Sequence, residues 1–159
     1  MRVFRSVDEY VDYRDSTGDS TPVYTTCGGF DPLHIGHLRC ILETADMARN
    51  NNAKAVIVVN GDGFLIRKKG KPFMKQEDRV KIVQSIKGVD EAFLSIDDDK
   101  TVCKSLSAVD PDIFANGGDR HNKEIPEAKV CRAQNIQLID GLGGKIRSSS
   151  DLTGLKEKK

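Results

Sequence analysis

The sequence predicts an α/β fold, a Rossmann-like doubly wound five-stranded parallel sheet with helices on both faces. Three observations predict it. From residue 22 onward, short β-branched runs alternate with longer stretches of helical period, the pattern of successive βαβ units. The run Ala53–Asn60 (AKAVIVVN) ends in continuous apolar residues, as a strand does when helices cover both its faces. The chain has 159 residues, 38% hydrophobic and 31% charged, which suits one domain with a sizeable core.

Taken in order, Pro22–Cys27 (PVYTTC) reads as the first strand and is followed by a Gly-Gly turn. Ile35–Arg49 reads as a helix, because Ile35, Leu38, Ile41, Leu42, Ala45 and Ala48 share one face. After the second strand, Arg67–Lys71 (RKKGK) reads as a basic loop, and Gly70 with Lys71 as a mobile lid. Gln76–Lys87 is the next helix, with Val80, Val83 and Ile86 aligned. Strands at Glu91–Ile96, Pro111–Ala115 and Ile136–Ile139 enclose helices at Thr101–Val109 and Lys123–Ala133. A last short helix is expected from Ser149. The organisation is an N-terminal helix and loop over 1–20, a main domain over 21–155 and a flexible tail over 156–159. Val3, Val7, Tyr10 and Val11 suggest that the first helix covers one edge of the domain; an arm used in assembly is the other reading.

Composition excludes several classes. Lys plus Arg total 25 and Asp plus Glu 24, so no global charge draws the chain to nucleic acid or to an anionic membrane. There is no basic stripe with interleaved aromatics, and Trp is absent. No apolar run approaches the ~18 residues of a membrane-spanning helix, and the N-terminus does not read as a signal peptide. Cys27, Cys40, Cys103 and Cys131 form no CxxC pair, which suits a reducing cytoplasm.

In open α/β sheets ligands bind beyond the carboxyl ends of the strands, so the segments just after strands are the candidate site. The first reads Gly28-Gly29-Phe30-Asp31-Pro32-Leu33-His34-Ile35-Gly36-His37. Its two leading glycines let backbone approach a ligand. A helix starting near His34 turns unsatisfied N–H groups and its positive dipole end toward the same place. His34 and His37 share one face of the first turn, and Gly36 between them leaves room for a phosphate. Three readings stay open. The histidines are metal ligands with Asp31, Asp119 or His121, or surface and cap residues, or hydrogen-bond donors to phosphate oxygens as charge builds in a transition state. Arg67, Lys68, Lys69 and Lys71 are either a solvated basic turn or a counter-charge for a triphosphate. Arg79, after Glu77 and Asp78, reaches a phosphate or forms a structural ion pair. Asn116-Gly117-Gly118-Asp119 is a tight turn or a close approach to nucleotide.

The decapeptide GGFDPLHIGH resembles the first signature of the cytidylyltransferase-like nucleotidyltransferases, whose pattern runs G-x-F-D-x-x-H-x-G-H. The basic segment, the Arg79 helix start and the Gly-Gly-Asp turn resemble later family elements. Arg147-Ser148-Ser149-Ser150 resembles its serine-rich motif at the N-terminus of a last helix. The overall pattern is most similar to heptose 1-phosphate adenylyltransferase domains, then to glycerol 3-phosphate cytidylyltransferases. Many CTP users carry an Arg five residues before the first serine, where this chain has Gly143.

The resemblance implies transfer of a nucleotidyl group from ATP or CTP to a small phosphorylated sugar or polyol, with release of pyrophosphate. A non-catalytic nucleotide-binding protein is the reading of another class. The resemblance implies Mg²⁺ carried on the triphosphate, no resident metal site and a homodimer. It assigns catalysis to His34, His37, Lys68 and Ser149. Nucleotide contacts fall to Gly28, Gly29, Phe30, Gly36, Lys69, Arg79, Gly117, Gly118, Arg147, Ser148 and Ser150. The acceptor falls to Asp31, Asn60, Asp62, Lys71 and Asp119.

Overall fold

A computed structural model describes residues 4–99, 101–117 and 125–142. Its elements are α1 (Val7–Thr17), β1 (Val23–Gly28), α2 (Ile35–Asn50), β2 (Lys54–Val59), α3 (Asp62–Lys69) and α4 (Gln76–Gln84). These are followed by β3 (Glu91–Leu94), α5 (Cys103–Val109), β4 (Ile113–Gly117), α6 (Glu127–Gln134) and β5 (Gln137–Leu142). The five strands form one parallel sheet in the order β3-β2-β1-β4-β5. The chain therefore winds outward from β1 in one direction, then returns to add β4 on its other side. The carboxyl ends of β1 and β4 flank the switch point, where such sheets bind ligands.

Strand alternation sorts the core into two faces. Val23 of β1, Val56 and Val58 of β2 and Phe93 of β3 pack against Phe4, Val7 and Tyr10 from the N-terminal segment and against Val109 of α5. Ile57 and Val59 of β2 and Ala92 of β3 face the other way, onto Phe30, Ile41 of α2 and Val83 of α4. Helix α1 thus covers a face of the sheet rather than an edge. Its residues Val7 and Tyr10 are buried because Phe93 offers them an aromatic floor. Tyr10 stacks on that ring at 4.9 Å and Phe4 meets it edge-on at 6.4 Å. Ser6 forms a parallel bridge to Leu94, and the Leu94 amide donates to Arg5 O at 3.1 Å. Phe93→Ala removes the shared ring, with an expected loss of about 3–5 kcal/mol in a denaturant melt.

Three sequence expectations are corrected. The segment read as a basic loop is helical: Arg67, Lys68 and Lys69 form the last turn of α3, which Gly70 ends at φ 97°. Only Phe64 and Leu65 of that helix are buried, so there was no helical period to read. Its fold depends on tertiary contacts. The Asp62 amide donates to Gln76 Oε1 at 2.8 Å, and the Asp62 carboxylate pairs with Arg79 at 2.6 Å. After α3 the chain meets the first loop through the Phe73 and Met74 amides, as described below. Gly117 ends strand β4 instead of sitting in a turn, because β4 runs on beside β5 as far as the Gly117–Leu142 pair. Helix α6 starts at Glu127, where Pro126 occupies the N-cap. Gly118, Asp119, His121, Gly143, Arg147, Ser148, Ser149, Ser150 and the expected last helix lie outside the described residues.

Candidate active site

The first loop leaves β1 at its carboxyl end and turns sharply into α2. Phe30 has φ 52°, a left-handed conformation that costs a bulky residue roughly 1–2 kcal/mol. Burial of its ring holds it there. A Cβ on Gly28 would lie 2.9 Å from that ring, and one on Gly29 3.0 Å from Leu65. The two glycines thus serve packing of the turn as well as backbone approach. The Asp31–Pro32 peptide is cis.

His34 is the N-cap of α2 and His37 is its third residue. The Gly36 amide donates to His34 Nδ1 at 3.1 Å, and the His34 amide donates to His37 Nδ1 at 3.2 Å. Each Nδ1 is an acceptor, so in the neutral rings the proton is on Nε2. The rings stack 3.7 Å apart, and the Phe30 ring meets His37 edge-on at 5.4 Å. The histidines are therefore cap residues and a paired set of Nε2–H donors at once. Burial, then His34 and Lys68, push His37 below the usual imidazole range against an opposing contact with the Pro32 backbone. The Lys69–Asp31 contact puts the basic end of α3 beside the loop.

Asp31, expected to meet the acceptor, does something else in the structure. Its carboxylate is 1% exposed and lies 2.9 Å from Lys69 Nζ. It accepts from the Phe73 and Met74 amides, each at 2.6 Å, and Lys69 also donates to the Asp31 carbonyl at 2.7 Å. Burial would raise the carboxyl, but Lys69 and the two amides outweigh it and hold the group below the usual carboxylate range. The stability it contributes is present above the unfolded value of about 3.9 and is lost as pH falls through the lower folded value. Asp31→Asn keeps the shape but loses the charge; it is expected to destabilise by roughly 1–3 kcal/mol near pH 7 and to flatten the acid limb of a stability-versus-pH curve.

Arg79 is 0% exposed. Its guanidinium donates to Met74 O at 3.0 Å, Gly29 O at 2.9 Å, Asn60 O and Asp62 Oδ1 at 2.6 Å. Of the two sequence readings, the structure displays the ion pair: this arginine joins the ends of β1 and β2 to the start of α3 and the approach to α4. Asp62, one of the expected acceptor contacts, is the partner in that pair. Asn60 continues β2, its amide donating to Gly28 O at 2.9 Å. Its side-chain Oδ1 is buried with no hydrogen-bond partner among the described residues. Lys68 and Lys71 are exposed. Gly28, Gly29, Phe30, Asp31, Gly36 and the two histidines form one continuous turn. Asn60, Asp62, Lys68, Lys69 and Arg79 gather around it, and Gly117 ends the strand across the switch point. Sequence reasoning passed over Phe73 and Met74, whose amides carry the Asp31 contact; main-chain donors leave no side-chain signal.

A doubly wound sheet whose central strand delivers a glycine turn, two imidazole donors and a helix N-terminus to the switch point defines a phosphate-binding, nucleotide-handling domain. Comparison with known proteins makes this specific. Residues 25–140 match the family model described as Cytidylyltransferase-like. The FAD synthase of Aciduliprofundum boonei is 35% identical over 130 residues, covering 82% of this chain and 83% of that protein. The FAD synthase of Methanothermus fervidus is 33% identical over 109 residues, covering 69% of this chain and 73% of that protein. The bifunctional protein HldE of Wolinella succinogenes is 29% identical; the match covers 78% of this chain but 25% of HldE. Among solved structures, the lipopolysaccharide core biosynthesis protein of Thermoplasma volcanium shares the fold, with TM-score 0.62 and 23% identity over 76% of this chain and 96% of that one. The chain belongs to the cytidylyltransferase-like family and is a nucleotidyltransferase. No helix among the described residues is long and apolar enough to cross a membrane.

Proposed function

We propose that the chain is an adenylyltransferase that moves AMP from ATP to the phosphate of a small phosphomonoester. The acceptor's phosphate oxygen attacks the α-phosphorus, a new P–O bond forms, the bond to the β-phosphate breaks, and pyrophosphate leaves. The observation that carries this reading is the stacked His34–His37 pair at the N-terminus of α2, with Nδ1 of both rings occupied by backbone amides. That arrangement orients two Nε2–H donors before any ligand arrives, which is how developing phosphate charge is stabilised. Lys68, exposed in the last turn of α3, adds a cation suited to the departing pyrophosphate. Ser148–Ser150 would bind the outer phosphates, as the family resemblance implies.

Mg²⁺ would be held mainly by the triphosphate oxygens and water, because Asp31 and Asp62 are already paired with Lys69 and Arg79. When bound, it neutralises charge on the triphosphate.

Adenine is favoured over cytosine by two FAD synthases among the relatives, since FAD contains AMP joined to a flavin phosphate. The absence of an arginine at Gly143 supports the same choice. A sugar 1-phosphate of the heptose type is the second reading for the acceptor, favoured by the match to HldE. Pyrophosphate release is measured for ATP, CTP, GTP and UTP against FMN, a sugar 1-phosphate and glycerol 3-phosphate. ATP is expected to be the productive nucleotide. Turnover with CTP alone, or with none of the twelve pairs, defeats the proposal.

A further inference from the structure

Phe73 stands out on the surface near this site. It is 76% exposed, yet its backbone amide is tied to a buried carboxylate. The Phe73 amide donates to Asp31 Oδ2, and the next residue is fixed at both ends: the Met74 amide donates to Asp31 Oδ1, and Met74 O accepts from Arg79. Two buried charged groups thus hold an unburied aromatic ring beside the phosphate loop. No described residue covers that side chain to the point of burial. Two further exposed apolar residues lie on segments that meet at Asp31. Ile35, 63% exposed, is the first residue of α2, and Ile66, 52% exposed, lies one turn before Lys69 on α3.

The position of Phe73 in the topology says which part of a substrate it would meet. The switch point, where the nucleoside of a doubly wound domain lies, is between β1 and β4. Phe73 is on the other side. It precedes α4, which packs on β2 and β3. With the phosphates at His34 and His37, a group over Phe73 belongs to the acceptor and not to the nucleotide base. Lys71 and Lys75, both exposed, flank the ring in sequence, so the surroundings favour an anionic ligand with a flat apolar body.

We infer that Phe73 is a stacking platform that selects a phosphomonoester bearing a planar aromatic ring as the acceptor. This rests on the adenylyl-transfer reading and names its acceptor class. FMN and nicotinamide mononucleotide share that chemistry; a sugar 1-phosphate has the phosphate without the ring.

The test uses full-length wild type, Phe73→Ala and Phe73→Tyr. Exposure of the side chain leaves folding independent of the change, which a thermal melt checks. With ATP and each acceptor, KM and kcat are taken from pyrophosphate release. For the aromatic acceptor that wild type uses, Phe73→Ala is expected to raise KM at least tenfold. Change in kcat should be under threefold, KM for ATP should hold, and Phe73→Tyr should restore the wild-type KM. A second arm needs no turnover: quenching of FMN fluorescence is followed on titration with protein, and the Kd it gives should rise at least tenfold in Phe73→Ala. If wild type uses only the sugar 1-phosphate, the aromatic selection is overturned and adenylyl transfer stands. If no acceptor releases pyrophosphate, adenylyl transfer fails and the quenching arm alone decides on the platform. Unchanged KM and quenching in Phe73→Ala overturn the inference. So does a loss of self-association in gel filtration with both constants unchanged, since the ring would then serve a second copy of the chain.

Discussion

Replacing His37 with alanine is expected to lower kcat by about 10²–10³-fold while the protein stays folded. The ring is half-buried in the first turn of α2 and does little for the core. Its loss frees one backbone amide, that of His34, at the solvent-exposed N-cap. The expected stability change is therefore about 1 kcal/mol, the scale of a lost cap. The effect on rate is larger because a hydrogen bond to a transition state cannot be replaced by water at an oriented site. His34→Ala should behave alike in rate, and the pair should be less than additive because each ring positions the other. Steady-state kinetics of both single variants and the double decides this; more than half the wild-type kcat in either single variant would remove the histidines from the mechanism. Burial also lowers the His37 pKa, so the folded state binds fewer protons than the unfolded chain. Stability of the ligand-free protein should fall as pH drops below about 6.5, and His37→Ala should abolish that part of the slope.

Arg79→Met is expected to destabilise the protein by about 3–5 kcal/mol, because it strands a carboxylate and three carbonyls around a buried void of charge. The four acceptors belong to four different segments: the β1 turn, the end of β2, the start of α3 and the approach to α4. The chain's nucleotidyl transfer should therefore fail along with stability, since Gly29 and Met74 both adjoin the phosphate loop. Arg79→Lys should recover little. An ammonium is a compact point charge and cannot reach acceptors that a planar fork spans. Urea melts of the two variants check the energy. A fall of less than about 1 kcal/mol in Arg79→Met, the scale of one ordinary hydrogen bond, would show that the acceptors find other donors.

These residues also show where sequence reading stopped. The alternation of apolar strands and amphipathic helices made the sheet legible, because the central strands β1 and β2 carry runs buried on both faces and the long helix α2 is buried on one. The first loop was legible for another reason: glycine, histidine and the helix start are all local, and their spacing alone sets the relative position of the two rings. Helix α3 escaped because Phe64 and Leu65 are adjacent rather than spaced by a turn. The work of Asp31 and Arg79 escaped as well. A charged residue near a phosphate site reads as a ligand contact until its partners are known, and those partners are mostly main-chain groups 17 to 50 residues away.

The amino-acid order by itself determined the doubly wound class, the direction of its strands and the turn that offers two imidazoles to a phosphate. Each follows from periodicity or from contacts a few residues apart, which the chain carries wherever it is placed. Only the tertiary structure decided which cations are available to a ligand. Lys69 and Arg79 sit beside Lys68 and Lys71 in any reading of charge, yet Asp31 holds the first, and three distant acceptors with the nearby Met74 carbonyl hold the second. Electrostatic pairing depends on distance in space, and that distance exists only once β1, β2 and the α3–α4 connection have met.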